Sequence, residues 1–156
     1  MSRVDDALVA DAVVALLRTE LDPVQIGDGR APTVANGDER VIGPEGVTAR
    51  SFGVVYKIAG GRFEGDGYLG QPESIEVVRF QIVGVGVQRT AADRLASRMC
   101  SILVDRLDAP PASYVFPLTV PGHTVIDRHA VGKIPQDNGG GLVQMGHIVD
   151  VRVCVA

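Results

Sequence analysis

Few residues in this 156-residue chain have types and spacings that could do chemistry. The first candidate is Gly84 and Gly86, at the end of "IEVVRFQIVGVGVQRTAADRLASRMCSILVDRL" (75–107), where a strand pattern passes into a helix pattern. A strand, G-x-G and a helix can cradle a phosphate. The dinucleotide fingerprint, however, needs a third glycine three residues after the second, and that position holds Arg89. A phosphate loop needs Lys followed by Ser or Thr, which is missing here. The two glycines are therefore expected to mark a bulge or a close backbone approach where the strand leaves the sheet. The second candidate is His123, His129 and His147, with Asp127 nearby. Zinc needs three or four convergent ligands, and H-x5-H fits neither a helix face nor a common zinc motif. Surface or loop histidines are expected. Ser51, Ser74, Ser97, Ser101 and Ser113 lie in no nucleophile elbow, and the carboxylates are scattered. No catalytic residue, metal or cofactor is expected, and the chain is read as not an enzyme.

The elements that would position such groups follow from periodicity. Residues 3–21 read as a helix, with Ser2 as cap and Asp5 three residues on. Val9, Ala12, Val13, Leu16, Leu17 and Leu21 share its apolar face, and Pro23 stops it. "GDGRAPTVANGDERVIGPEGVTAR" (27–50) is punctuated by Gly and Pro, with a short strand near Val41 and Ile42 as one option. A loop of this length is usually functional or disordered, and ordering against a partner is one reading. "SFGVVYKIA" (51–59) alternates as a half-buried strand, with Phe52, Val54, Tyr56 and Ile58 on one face. "GGRFEGDGYLGQPES" (60–74) is too long for a tight turn and predicts an extended flap joining two antiparallel neighbours.

The next strand covers about 75–87, with Val78, Phe80 and Ile82 on one face and Val77, Arg79, Gln81, Val83 and Val85 on the other. Thr90 offers a helix cap with Asp93 behind it, and the helix is expected to reach about Leu107. Ala92, Leu95, Ala96, Met99, Ile102, Leu103 and Leu107 form its apolar face, and Asp93, Arg94, Ser97, Arg98, Ser101 and Asp105 the polar one. A broken or edge strand is expected within 113–131, interrupted by Pro117 and Pro121. "GKIPQDNGGG" (132–141) reads as a flexible loop. "LVQMGHIVDVRVCV" (142–155) is the clearest strand. Val149, Val151, Val153 and Val155 face one way, and Ile148, Asp150, Arg152 and Cys154 face water or a partner. The expected product is one α+β domain spanning 1–156: an antiparallel-rich sheet of about four strands, two helices packed on one face, and long Gly-rich loops.

Composition bounds the function class. Hydrophobic residues make up 46% and charged residues 22%, Trp is absent, and Gly is raised at 19 residues. A chain of this size can bury roughly 70% of its unfolded surface. The formal net charge of −4 shows no basic stripe for gripping nucleic acid. Cys100 and Cys154 belong to no C-x-x-C and read as small buried hydrophobes, with a disulfide between them open. No apolar run approaches the ~18 residues of a membrane helix, and Asp5, Asp6 and Asp11 do not suit a signal peptide. A soluble protein of a reducing cytoplasm is expected.

The strand running through a Gly-containing segment into "RTAADRLASRMCSIL" resembles the central unit of tail terminator proteins of long-tailed bacteriophages, also called tail-completion or minor tail proteins. The order of parts is similar too: an N-terminal amphipathic helix, a strand with a long Gly-rich arm, and a last strand charged on one face. The resemblance implies a structural virion protein of the tail or neck, present in the host cytoplasm during assembly. It implies a homo-oligomeric ring, commonly a hexamer, that caps the tail tube and meets the head-side connector or stopper protein. DNA would pass through the lumen without sequence-specific binding, and no membrane is involved. A neighbouring neck component, such as a head-completion or stopper protein, is the alternative. A small α+β enzyme or ligand-binding domain with its site in the flap region is the rival of another class. Interface candidates are Arg62, Phe63, Glu64 and Tyr68 in the flap, where aromatics and Arg tend to anchor contacts. Arg94, Arg98 and Asp105 on the second helix, and Asp150 and Arg152 on the last strand, complete the set.

Overall fold

The computed structural model describes residues 4–30, 51–58, 62–64, 75–86, 88–107, 113–139 and 141–156. They form, in chain order, α1 (Asp6–Leu21), β1 (Ile26–Asp28), β2 (Phe52–Lys57), β3 (Arg62–Glu64), β4 (Ile75–Gly86), α2 (Arg89–Val104), β5 (His123–Gly139) and β6 (Leu142–Val155). The strands make one sheet of order β1-β2-β4-β6-β5, with β3 pairing the start of β4. Only β1 and β2 run parallel. The fold is α+β, as the residue patterns predict. The sheet is wider than the expected four strands, because β1 and β3 are three residues each and too short to show a period.

Alternation assigns the two faces. Val78, Phe80 and Ile82 of β4 stand level with Val151, Val149 and His147 of β6. The valines, Phe80 and Ile82 are fully buried under the helices, in one cluster with Val9, Val13 and Leu17 of α1 and Met99, Ile102 and Leu103 of α2. Each such side chain contributes about 1.5–3 kcal/mol by leaving water, so this layer dominates the stability. Both helices lie on that one face. On the other face a smaller cluster joins Phe52, Val54, Val83 and Val85, with Ile134 and Leu142 against it. Thus β2 is buried on both faces from Phe52 to Val55, not half-buried.

Several boundaries differ from expectation. Asp5, not Ser2, caps α1: its carboxylate accepts from the Ala7 and Leu8 amides at 3.0 and 3.3 Å. Ser2 lies outside the described residues, as does the strand expected near Val41 and Ile42. Thr90 lies inside α2, and the cap position is Gln88, which makes no side-chain capping bond. The helix stops at Val104, where Asp105 turns extended. Arg106 then bridges to Tyr114, the Leu107 amide bonds the Ser113 carbonyl, and Leu107 is left exposed, off the apolar face.

The segment 132–141 is not a loop up to Gly139. It continues β5, an edge strand, in a long hairpin with β6. Register shifts at 125/127, 130/132 and 134/137 absorb Pro135 and the extra residues, and the ladder to β6 resumes after each. Bulges hide strand periodicity in a sequence, so the arm reads as loop.

Candidate functional site

Gly84 and Gly86 build no ligand cradle. The β4 register runs unbroken through both. A Cβ on Gly84 would lie 2.5 Å from the Ala92 carbonyl oxygen and 2.7 Å from the Ala96 nitrogen, and one on Gly86 would lie 3.2 Å from the Ala92 nitrogen. The glycines let α2 lie directly on the strand that precedes it. Of the two expectations, close approach holds and the bulge does not.

The chemistry-bearing residues gather instead on the face of the sheet opposite the helices, across β4, β6 and β5. Arg79, Asp150 and His129 are level with one another on these three strands, and Arg152 is level with Asp127. Arg79 donates from Nε and Nη2 to the two oxygens of Asp150 at 2.7 and 2.8 Å. Arg152 donates to Asp127 Oδ2 at 2.9 Å. His129 lies between the carboxylates, with Nδ1 3.4 Å from Asp127 and Nε2 3.9 Å from Asp150. Among the described residues two cations and two anions are thus tied together around one imidazole, whose side chain keeps 52% of its surface.

The electrostatics agree with the geometry. The hydrogen bond and charge of Asp150 raise the Arg79 pKa. Burial pushes the Asp127 carboxyl up, but the hydrogen bonds and charges of Arg152 and His129 together outweigh it, so the net shift is downward. The array holds its charges in place and presents a patterned surface. Charge-assisted pairs of this kind fix geometry.

A second cluster flanks the outer edge of β5. The Tyr114 hydroxyl accepts from the Arg128 amide at 2.6 Å and donates to the Arg128 carbonyl at 3.1 Å. The Arg128 guanidinium stacks on the Tyr114 ring at 3.8 Å and donates to the Phe116 carbonyl at 2.7 Å. It is 2% exposed, and that burial lowers its pKa. Arg106 also lies over the ring, at 4.9 Å.

Of the interface candidates, Asp150 and Arg152 enter the charged array, each paired with a residue on the neighbouring strand. Arg94 and Arg98 are exposed on α2, and Asp105 is exposed just past its end, so the three do not share one helix face. Arg62, Phe63 and Glu64 form β3 opposite Ile75–Val77, with Arg62 level with Val77 and so in the cross-strand row of Arg152 and Asp127, and Tyr68 lies outside the described residues. Arg79, Tyr114 and Arg128 are not among the sequence candidates, and His129 and Asp127 are weighed there only as metal ligands. The available signal was D-x-H at 127–129 matching D-x-R at 150–152, which requires the register across a bulge.

The histidines all sit on strands, not in loops. His123 accepts at Nε2 from the Asp5 amide at 3.0 Å and has Nδ1 2.7 Å from the Pro121 carbonyl, which ties the start of β5 to α1. Both cysteines are free. Cys100 is buried with its thiol pKa pushed up, first by that burial, and Cys154 is half-buried. Among the described residues no three His, Cys, Asp or Glu converge as metal ligands, and no helix is long and apolar enough to cross a membrane. No protein-family model matches the chain, and no curated protein matches it significantly.

Proposed function

We propose that this chain is a structural virion protein, the terminator ring of a long-tailed phage. In this reading it closes into a ring, commonly of six subunits, on the end of the tail tube and offers its other side to the head-side connector. The observation that carries the reading is the one-sided sheet. Both helices pack on one face, while the other bears a fixed ladder of Arg–Asp pairs that reaches the edge strand of a long hairpin. Such a face suits recognition by surface. A ring needs a heterologous contact that closes on itself, and DNA moving through the lumen is served by a surface whose cations are already paired.

Light scattering of the purified chain across a concentration series, with and without tail tubes, tests this. A discrete ring, or a monomer that becomes a ring on tube ends, supports it. A monomer or dimer indifferent to tubes overturns it. A head-completion or stopper protein of the neck would also form a ring but bind the connector and not the tube.

A further inference from the structure

Each edge strand of the sheet is plugged at one residue by a side chain. At β1 the Gln25 carbonyl and the Gly29 amide bond β2, so the carbonyl of Ile26 between them points outward. Arg18 of α1 donates to it from Nε and Nη2 at 3.1 and 3.0 Å. At β5 the Tyr114 hydroxyl takes the outward amide and carbonyl of Arg128. Such plugs keep a sheet edge from adding strands indiscriminately. At these two positions contact through the edge is left to side chains.

The two edges carry complementary side chains. Beside the β1 plug runs a groove of about 420 Å³ lined by Asp11, Val14, Ala15, Arg18, Thr19 and Asp28. Arg18 donates to Ile26 and keeps its charge, so the two exposed carboxylates, Asp11 and Asp28, leave the groove with one net negative charge beside Val14 and Ala15. At the β5 edge the register shifts at 125/127 and 130/132 leave Ile126 and Val131 without partners on β6, and both are exposed, at 39% and 46%. Lys133, also exposed, follows two residues after Val131. One edge thus offers a groove with a net negative charge and the other an apolar knob with a lysine.

We infer that the β5 edge of one copy, through Val131 and Lys133, seats in the Asp11–Asp28 groove of a second copy. The two surfaces lie on opposite edges of one sheet, so the contact is head-to-tail and closes into a ring when its rotation allows. This rests on the ring reading above and names the surfaces that make the ring.

Charge exchange tests it on the full chain. Lys133→Glu and Asp28→Lys should each raise the concentration for half-assembly at least tenfold, and the double variant should recover most of that loss. Both side chains are exposed, and unchanged circular dichroism and melting of each variant show that the subunit is intact. As a second measurement, Val131→Cys with Ala15→Cys, in a Cys154→Ser background, should give a ladder of covalent oligomers with a short bismaleimide. If wild-type chain forms no ring even on tubes, the proposed function falls and the contact with it. If the ring forms but neither single charge change weakens it, or cross-links form only within one chain, the contact alone is overturned.

Discussion

Arg79 and Asp150 face each other across β4 and β6 and are joined by two parallel hydrogen bonds, although their exposures differ fivefold: 40% of the Arg79 side chain and 8% of that of Asp150. The burial falls on the carboxylate, so the pair is asymmetric.

Arg79→Met should therefore cost more than Asp150→Asn. The first strands a buried carboxylate, a loss of about 1–3 kcal/mol. The second leaves an acceptor in place and a guanidinium that water can reach, a loss below about 1 kcal/mol. Urea denaturation of both variants and of the double variant gives the two costs and their coupling. Equal costs would mean that the burial of Asp150 is immaterial.

Tyr114→Phe keeps the ring under Arg128 and removes only the hydroxyl that bonds the Arg128 amide and carbonyl. A loss of about 1–2 kcal/mol is expected. The more specific readout is hydrogen exchange: the Arg128 amide should lose protection while the amides of β6 keep theirs. Undiminished protection at Arg128 would show that the edge is covered by something other than this hydroxyl.

Gly84→Ala should destabilise by about 1–3 kcal/mol, because the added methyl meets backbone atoms of Ala92 and Ala96 that cannot rotate away. Gly132→Ala, with nothing within 4 Å of its Cβ, is the control and should leave the denaturation midpoint close to wild type. A Gly84→Ala protein as stable as wild type would remove the close-packing account of the G-x-G.

His147 supplies a pH dependence. Burial, then the charge of Lys133, lowers its pKa, with Asp93 opposing. The unfolded imidazole, near pH 6.5, takes up its proton before the folded one does. The stability that depends on the neutral ring is thus complete above about pH 6.5 and is lost as pH falls through the folded value. The denaturation midpoint should drop between pH 7.5 and 5.5, and His147→Gln should flatten that part of the profile. An unchanged slope in the variant would assign the drop to other groups.

The long elements were legible because each carries one clean period. In α1, Val9, Val13 and Leu17 recur at helical spacing, and in β6 every second residue from Val149 to Val155 faces the helices. The face assignment of β4 was legible for the same reason, including Arg79 opposite the core. Ends were less so. The choice between Ser2 and Asp5, or between Gln88 and Thr90, turns on a few backbone angles that side-chain types only bias. The hairpin arm was illegible because three bulges and Pro135 interrupt its alternation.

By itself, then, the sequence determined an α+β chain with two helices on one face of an antiparallel-rich sheet, and it placed Asp150 and Arg152 on the opposite face. That information is local, since period and side-chain type decide which face a residue takes. Only the tertiary structure decided that Asp150 meets Arg79, that Arg152 meets Asp127 from 25 residues away, and that His129 stands between the two aspartates. Partnership across strands is set by register. A single bulged residue, Ile126, shifts it so that Asp127 and not Ile126 comes level with Arg152.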